Sequence, residues 1–216
     1  MLLLQTAASP ETIGLGSLIL AGGWLMIPLA LLSAVSIFIF FERFNMIRKA
    51  TEPDTKFMVK IRDLIYQGDI EKAQHLCRNR NTPVARMIDK GISQLGRPIA
   101  DIHRSIENVG NLEVSRLENG LPFLATVAGG APMIGFLGTV LGMVQAFMNL
   151  SAAGGGVDMA LLSSGIYTAM ITTVGGLVVG IPAYFGYNFL VARIEKLVFQ
   201  MEANTMAFMD IINVQQ

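Results

Sequence analysis

Two long tracts of this chain carry almost no charge, and they set its organisation. No Asp, Glu, Lys or Arg occurs between Glu11 and Glu42, and between Glu118 and Glu195 only Asp158 and Arg193 interrupt the apolar run. A membrane-crossing helix needs about 20 mostly apolar residues. A charge at its centre costs roughly 2.5–3.5 kcal/mol. The first tract therefore predicts one span, over 16–42, and the second predicts a two-span hairpin over 119–192. Within the hairpin, span two covers 121–149 and span three about 161–192, joined by the short Gly-rich stretch LSAAGGGVDM. Trp24 suits a membrane interface, and Pro28 is expected to kink or loosen the first span.

The polar middle of the chain, 43–118, reads as soluble helices. Apolar residues at Phe57, Met58, Ile61, Leu64 and Ile65 form a helical stripe. Gly68-Asp69 breaks it, with Asp69 placed to cap EKAQHLCRNR. Thr82 caps the next helix, with Pro83 at its first position, and Gly96 and Pro98 end it. A long helix starts at Ile99, with Ile102, Ile106, Val109, Leu112 and Leu117 as its apolar set, and is expected to run on toward span two. After the third span, 193–216 reads as a short amphipathic helix. Residues 1–15 read as a tail, either flexible or a short interfacial helix. The fold class is thus all-α: an integral membrane protein with three spans whose long helices extend into a helical bundle.

Charge placement predicts orientation. Arg43, Arg48 and Lys49 follow span one, Arg116 precedes span two, and Arg193 and Lys196 follow span three. No Lys or Arg precedes span one or lies between spans two and three. By the positive-inside rule the N-terminus is external, and residues 43–118 and the C-terminus are cytoplasmic. Composition agrees with membrane insertion: 52% of residues are apolar and 15% charged, against roughly 25% charged in soluble domains. Net charge is zero, which gives no reason to expect a nucleic-acid partner. The absence of a basic segment before the first span argues against a cleaved signal peptide. Cys77 is the only cysteine, so no disulfide framework exists, and it reads as a small packed side chain. His75 and His103 lack metal-ligand spacing, Asn149-Leu150-Ser151 is a chance-level glycosylation pattern, and Gly154–Gly156 lacks the Lys of a phosphate loop. No catalytic constellation, cofactor motif or metal motif is present, so an enzyme is not expected.

Two constellations lie inside the spans. The first is glycine. Span two carries Gly129, Gly130, Gly135, Gly138 and Gly142, and span three carries Gly176 and Gly180. Small residues four apart let membrane helices approach closely. That approach serves packing within one chain or between copies, and three spans per chain favour a homo-oligomer. The second is hydroxyl. Thr126 and Thr139 lie in span two, and Ser163, Ser164, Thr168, Thr172 and Thr173 in span three. Ser164, Thr168 and Thr172 are spaced i, i+4, i+8 and share a helix face. A single buried hydroxyl satisfies itself on its own helix, whereas a polar stripe tends to face a wet cavity or an ion path. No carboxylate, His, Lys or Arg accompanies these residues, so a proton carrier would have to come from a partner.

Span two closely resembles the second transmembrane helix of the ExbB/TolQ/MotA proton-channel family. The resemblance is carried by Ala131-Pro132, Ile134-Gly135-Phe136-Leu137-Gly138-Thr139-Val140 and Gly142. Span three is similar to the third helix of ExbB and TolQ through Thr173, Gly176-Leu177 and Ile181-Pro182-Ala183. The cytoplasmic GDIEKAQHLC looks like the family's helical segment. The resemblance covers most of the chain from about residue 15, and the three-span layout matches ExbB and TolQ. It implies a homo-pentamer in the bacterial inner membrane, surrounded by lipid. The pentamer would enclose two copies of an ExbD/TolR-like single-span protein whose membrane Asp carries protons past the pentamer's threonines. The resulting motion would be passed to a TonB-like protein to power transport across the outer membrane. The family's pore threonines fall on Thr139 and Thr173, with Ser164, Thr168 and Thr172 the further pore-lining candidates. Gly135, Gly138, Gly142, Gly176, Gly180, Pro132 and Pro182 are the helix-packing set. ExbB and TolQ sequences usually carry a Glu five residues before that third-helix Thr; here Thr168 stands there. A hydroxyl wall around a partner Asp suits sodium as well as protons. A TolQ-like role in envelope maintenance or another ion-driven motor of the family, and more distantly a small secondary transporter, are the alternatives.

Overall fold

The computed structural model describes residues 22–51, 56–152 and 159–213. Among them the chain is all helical: α1 (Met26–Ala50), α2 (Phe57–Tyr66), α3 (Ile70–Arg80), α4 (Pro83–Ile92), α5 (Ile99–Glu118), α6 (Leu121–Ala152) and α7 (Met159–Asn213). Three helical stretches are long and apolar enough to cross a membrane: α1, the stretch containing α6, and α7. The expected tail over 1–15, the start of the first span and the Gly-rich part of the hairpin loop lie outside the described residues.

The helix of span one begins at Met26, with Gly23 before it at a positive φ of 68°. Pro28 consequently sits in the first turn, where a missing N–H breaks no intrahelical bond. It neither kinks nor loosens the span. Trp24 lies just ahead of the helix, 71% exposed. At the other end the helix runs past Glu42 and Arg43 to Ala50.

Compact packing divides the chain into two units, one of 1–35 with 126–183 and the other of 36–125 with 184–216. The first unit holds the spans' apolar packing. Its core is Met26, Leu29, Val127, Ala131 and Ala183, backed by Leu32, Ala128, Ile134 and Val179. Leu29 and Met26 of α1 lie against Gly175 of α7, where an added Cβ would stand 3.0 Å from the Met26 Sδ. Most other large side chains here, such as Phe136, Phe147, Val178 and Ile181, face outward. An apolar exterior is what a membrane solvent allows, because helices gain no hydrophobic drive by hiding from lipid.

The second unit is a helical bundle with an ordinary interior. Phe57, Ile61 and Ile65 of α2, Ala73 and Cys77 of α3, and Ala85, Ile88 and Ile92 of α4 meet Ile102 and Ile106 of α5 and Leu197, Met201 and Phe208 of α7. The Thr82 hydroxyl accepts from the Ala85 N–H at 3.3 Å, with Pro83 at the first helical position, as expected. Asp69 precedes α3 but makes no capping bond; its carboxylate pairs with Lys72 at 2.6 Å instead. Gly91 is needed where α4 crosses α7, since a Cβ there would lie 2.5 Å from the Phe208 ring.

Three expectations change in this unit. α5 does not continue into α6: Asn119 leaves the helical region at ψ 129° and Gly120 turns at φ 87°. The Arg43 guanidinium donates to the Arg116 carbonyl at 3.2 Å, satisfying one of the carbonyls left without an intrahelical donor at the α5 terminus. Leu112 is 61% exposed, and Glu113 takes the inward position in its place. That carboxylate accepts from Arg86 and, at 2.8 Å, from Arg116. The C-terminal segment is not a separate short helix, because α7 is continuous from Met159 to Asn213. At 1.5 Å per residue its 55 residues span about 80 Å, far more than the roughly 30 Å of bilayer hydrocarbon.

Candidate functional site in the membrane hairpin

Within the first unit, α6 and α7 meet along a seam of small residues. A Cβ on Gly135 would stand 2.8 Å from the Thr172 carbonyl oxygen and 3.1 Å from the Cα atoms of Thr173 and Gly176. One on Gly176 would stand 2.6 Å from the Ala131 carbonyl and 2.9 Å from the Gly135 Cα. One on Gly138 would collide with the Thr172 hydroxyl, one on Gly142 with Ala169 at 2.7 Å, and one on Gly180 with Pro132 at 2.6 Å. These glycines thus close the hairpin inside a single chain, with Gly135 and Gly176 packed directly on each other. Gly129 and Gly130 are different, with no atom within 4 Å of an added Cβ. Gly165, Ala169, Ala131 and Ala146 belong to the seam as well, and glycine counting alone overlooked them. With alanine counted as small, the 3–4 spacing of residues 131, 135, 138, 142 and 146 is visible in the sequence.

Pro132 and Pro182 both lie inside helices that run on through them. Pro132 packs on Gly180 within the seam, and Pro182 is exposed.

The hydroxyls divide among three settings. Thr173 donates across the hairpin to the Gly135 carbonyl at 3.0 Å. Thr172 is 2% exposed and donates to its own helix, to the Ala169 carbonyl at 2.7 Å. Thr139 is half-buried and donates to the Phe136 carbonyl at 2.6 Å. Thr168 is half-buried, and Ser164 is exposed. The gradation along Ser164, Thr168 and Thr172 has a geometric cause. Four residues turn the helix by 400°, so each step rotates the stripe about 40°, from the outer face into the seam.

A hydroxyl that donates its proton to a carbonyl keeps acceptor lone pairs. Such a wall can receive a hydrogen bond from water or a protonated acid, or offer oxygen to a cation. It cannot itself give up a proton near neutral pH. Between Glu118 and Asp158, and from there to Arg193, the chain has no carboxylate, His, Lys or Arg to do so. Among the described residues no group of three or more His, Cys, Asp or Glu side chains could hold a metal ion.

Comparison with known proteins places this hairpin in a family. The model for the MotA/TolQ/ExbB proton channel family matches residues 79–203, more than half of the chain. A biopolymer transport protein ExbB homolog of Methanothermobacter thermautotrophicus is 28% identical over 80% of this chain and 62% of its own. The Tol-Pal system protein TolQ of Haemophilus influenzae is 43% identical over 44% of this chain and 41% of its own. A biopolymer transport protein ExbB-like 1 of Synechocystis is 30% identical over 80% of this chain and 69% of its own. The chain therefore spans less than two thirds of the length of the first two. With the family model matched across α4, α5, α6 and most of α7, and with the three apolar stretches above, this membrane protein belongs to the MotA/TolQ/ExbB proton channel family.

Proposed function

We propose that this chain is the neutral wall of an ion path in an ExbB-like energy transducer, working as a homo-pentamer around an ExbD/TolR-like partner. The observation that carries the reading is a hairpin whose two spans are rich in hydroxyls and hold no carboxylate, His, Lys or Arg, inside a proton-channel family. In this reading the partner's membrane Asp carries the charge. Thr139, Thr168 and Thr173 offer it oxygen atoms, Thr172 stands behind them in the seam, and Ser164 lies toward the mouth of the path. The pentamer sits in the bacterial inner membrane with its N-terminus periplasmic and its C-terminus cytoplasmic, as the basic residues at the span ends favour. Ion flow is transmitted through a TonB-like protein to transport at the outer membrane.

A TolQ-like role in envelope maintenance is the second reading, favoured by the 43% identity to a TolQ over 94 residues. Co-expression with a single-span, Asp-bearing partner and native mass spectrometry of the purified complex tests the assembly. Five copies of this chain with two of the partner is the expected mass; a stable monomer without partner refutes it. Thr168→Val and Thr168→Glu test the path. At least one change is expected to alter transport, and if neither does, Thr168 lies off it.

A further inference from the structure

A second candidate site lies in the helical-bundle unit, where α1 and α7 lose their apolar character. There a cavity of about 590 Å³ is lined by the apolar Phe44, Ile47 and Leu190 and by the basic Arg48, Lys49 and Arg193. This volume is typical of small-molecule sites, roughly 300–1,000 Å³. Three cations converge on it, and among the described residues no carboxylate lies within ion-pair distance of any of them. Elsewhere in this unit Arg86 and Arg116 both pair with one acid, Glu113.

The bland reading is that Arg48 and Lys49 merely complement the negative end of the α1 dipole, in whose last turn they stand. It does not reach Arg193, which lies mid-helix in α7, its guanidinium 5.2 Å from the Phe189 ring centroid. That ring in turn lies 6.1 Å from Phe44. The cavity thus combines aromatic and aliphatic lining with basic groups that no carboxylate among the described residues pairs.

Its height along the helices matters. Glu42 is the first charge after the apolar tract of α1, and Arg48 is six residues on, about 9 Å at 1.5 Å per residue. The polar layer of a bilayer is about 5–8 Å thick on each side, and long basic side chains reach back toward it. Arg193 is itself the first charge after the apolar run of α7. Basic pockets at this level between membrane helices take lipid head groups.

We propose that this cavity binds the phosphodiester head group of an anionic membrane phospholipid, with its acyl chains along Phe44 and the exposed Phe189 ring beside it. The inference rests on α1 and α7 being membrane spans, not on the ion path or on the orientation proposed above.

The full chain in neutral phosphatidylcholine nanodiscs, titrated with phosphatidylglycerol and read by native mass spectrometry and thermal unfolding, tests it. Phosphatidylglycerol is expected to bind and raise the unfolding temperature, whereas inorganic phosphate at equal concentration does neither. Each basic group is worth about five-fold in affinity, so R48Q/R193Q is expected to weaken phosphatidylglycerol about 25-fold and K49Q about five-fold. K90Q/R97Q, which removes equal charge from exposed positions elsewhere, is expected to leave it unchanged. K49Q, an exposed single change, serves if the double variant fails to fold. Wild-type affinity in K49Q or the double variant overturns the proposal, as does an equal loss in K90Q/R97Q. Displacement of the lipid by inorganic phosphate would make this a soluble-anion site instead and overturn the lipid assignment.

Discussion

Replacing Gly135 by alanine adds one methyl group where α6 and α7 come closest. The added Cβ would lie 2.8 Å from the Thr172 carbonyl oxygen and 3.1 Å from two Cα atoms. All three neighbours are backbone, so no side chain can swing aside and the helices must part. Overpacking of this kind costs about 1–3 kcal/mol. Parting also stretches the Thr173–Gly135 hydrogen bond of 3.0 Å, worth about 0.6 kcal/mol between membrane helices. Alanine returns up to about 1 kcal/mol of helix propensity, so Gly129→Ala is the matched control. It gains the same propensity and meets nothing within 4 Å. Propensity cancels between the two, leaving Gly135→Ala less stable than Gly129→Ala by about 1.5–3.5 kcal/mol. Reversible unfolding in mixed micelles titrated with dodecyl sulfate, followed by far-ultraviolet circular dichroism, measures both. Equal stabilities would refute the claim that the span glycines are required by the chain's own hairpin. A loss confined to Gly129→Ala would instead place the decisive contact outside the single chain.

Glu113→Gln leaves Arg86 and Arg116 facing a neutral amide; with both arginines partly exposed, a loss of about 1–3 kcal/mol is expected in thermal or denaturant unfolding, and an unchanged midpoint contradicts it. Thr82→Ala removes the cap on the Ala85 N–H and should cost about 1 kcal/mol in the same assay. Burial pushes the Cys77 thiol up to about 12, with Asp89 adding to the effect, so iodoacetamide at pH 8 should label it only after unfolding. Because the fold holds this proton, the associated stability is fully present below about 9 and declines as pH rises toward about 12. Cys77→Ala should flatten that part of the alkaline decline, and fast labelling of the native protein would refute the burial argument.

The sequence made the membrane spans legible because charge is excluded from hydrocarbon at high cost, and two charge-free tracts are conspicuous. The soluble stripe at Phe57, Ile61 and Ile65 was equally plain, since these residues have one helix face to bury. Other features were set by tertiary contacts that one-dimensional pattern hides. Leu112 is more apolar than Glu113, yet helical phase from Ile102 and Ile106 puts residue 113 inside, where two arginines compensate its charge. The interruption at Asn119-Gly120 is marked only by a glycine, and the Arg43 contact that meets it comes from 73 residues away. In the hairpin, threonines and glycines were found by type. Their division between the seam and the outer face depends on the slow rotation of a four-residue spacing, which separates Ser164 from Thr172.

The central claim is that this chain walls an ion path without carrying the ion. Proton flux into proteoliposomes with an imposed gradient, using a pH-sensitive dye, tests it most directly. The chain alone should show no flux above empty vesicles. Co-reconstitution with the proposed single-span, Asp-bearing partner should produce flux, and Asp→Asn in that partner should abolish it. Flux through the purified chain alone, or through the complex with the partner's Asp removed, would contradict the account.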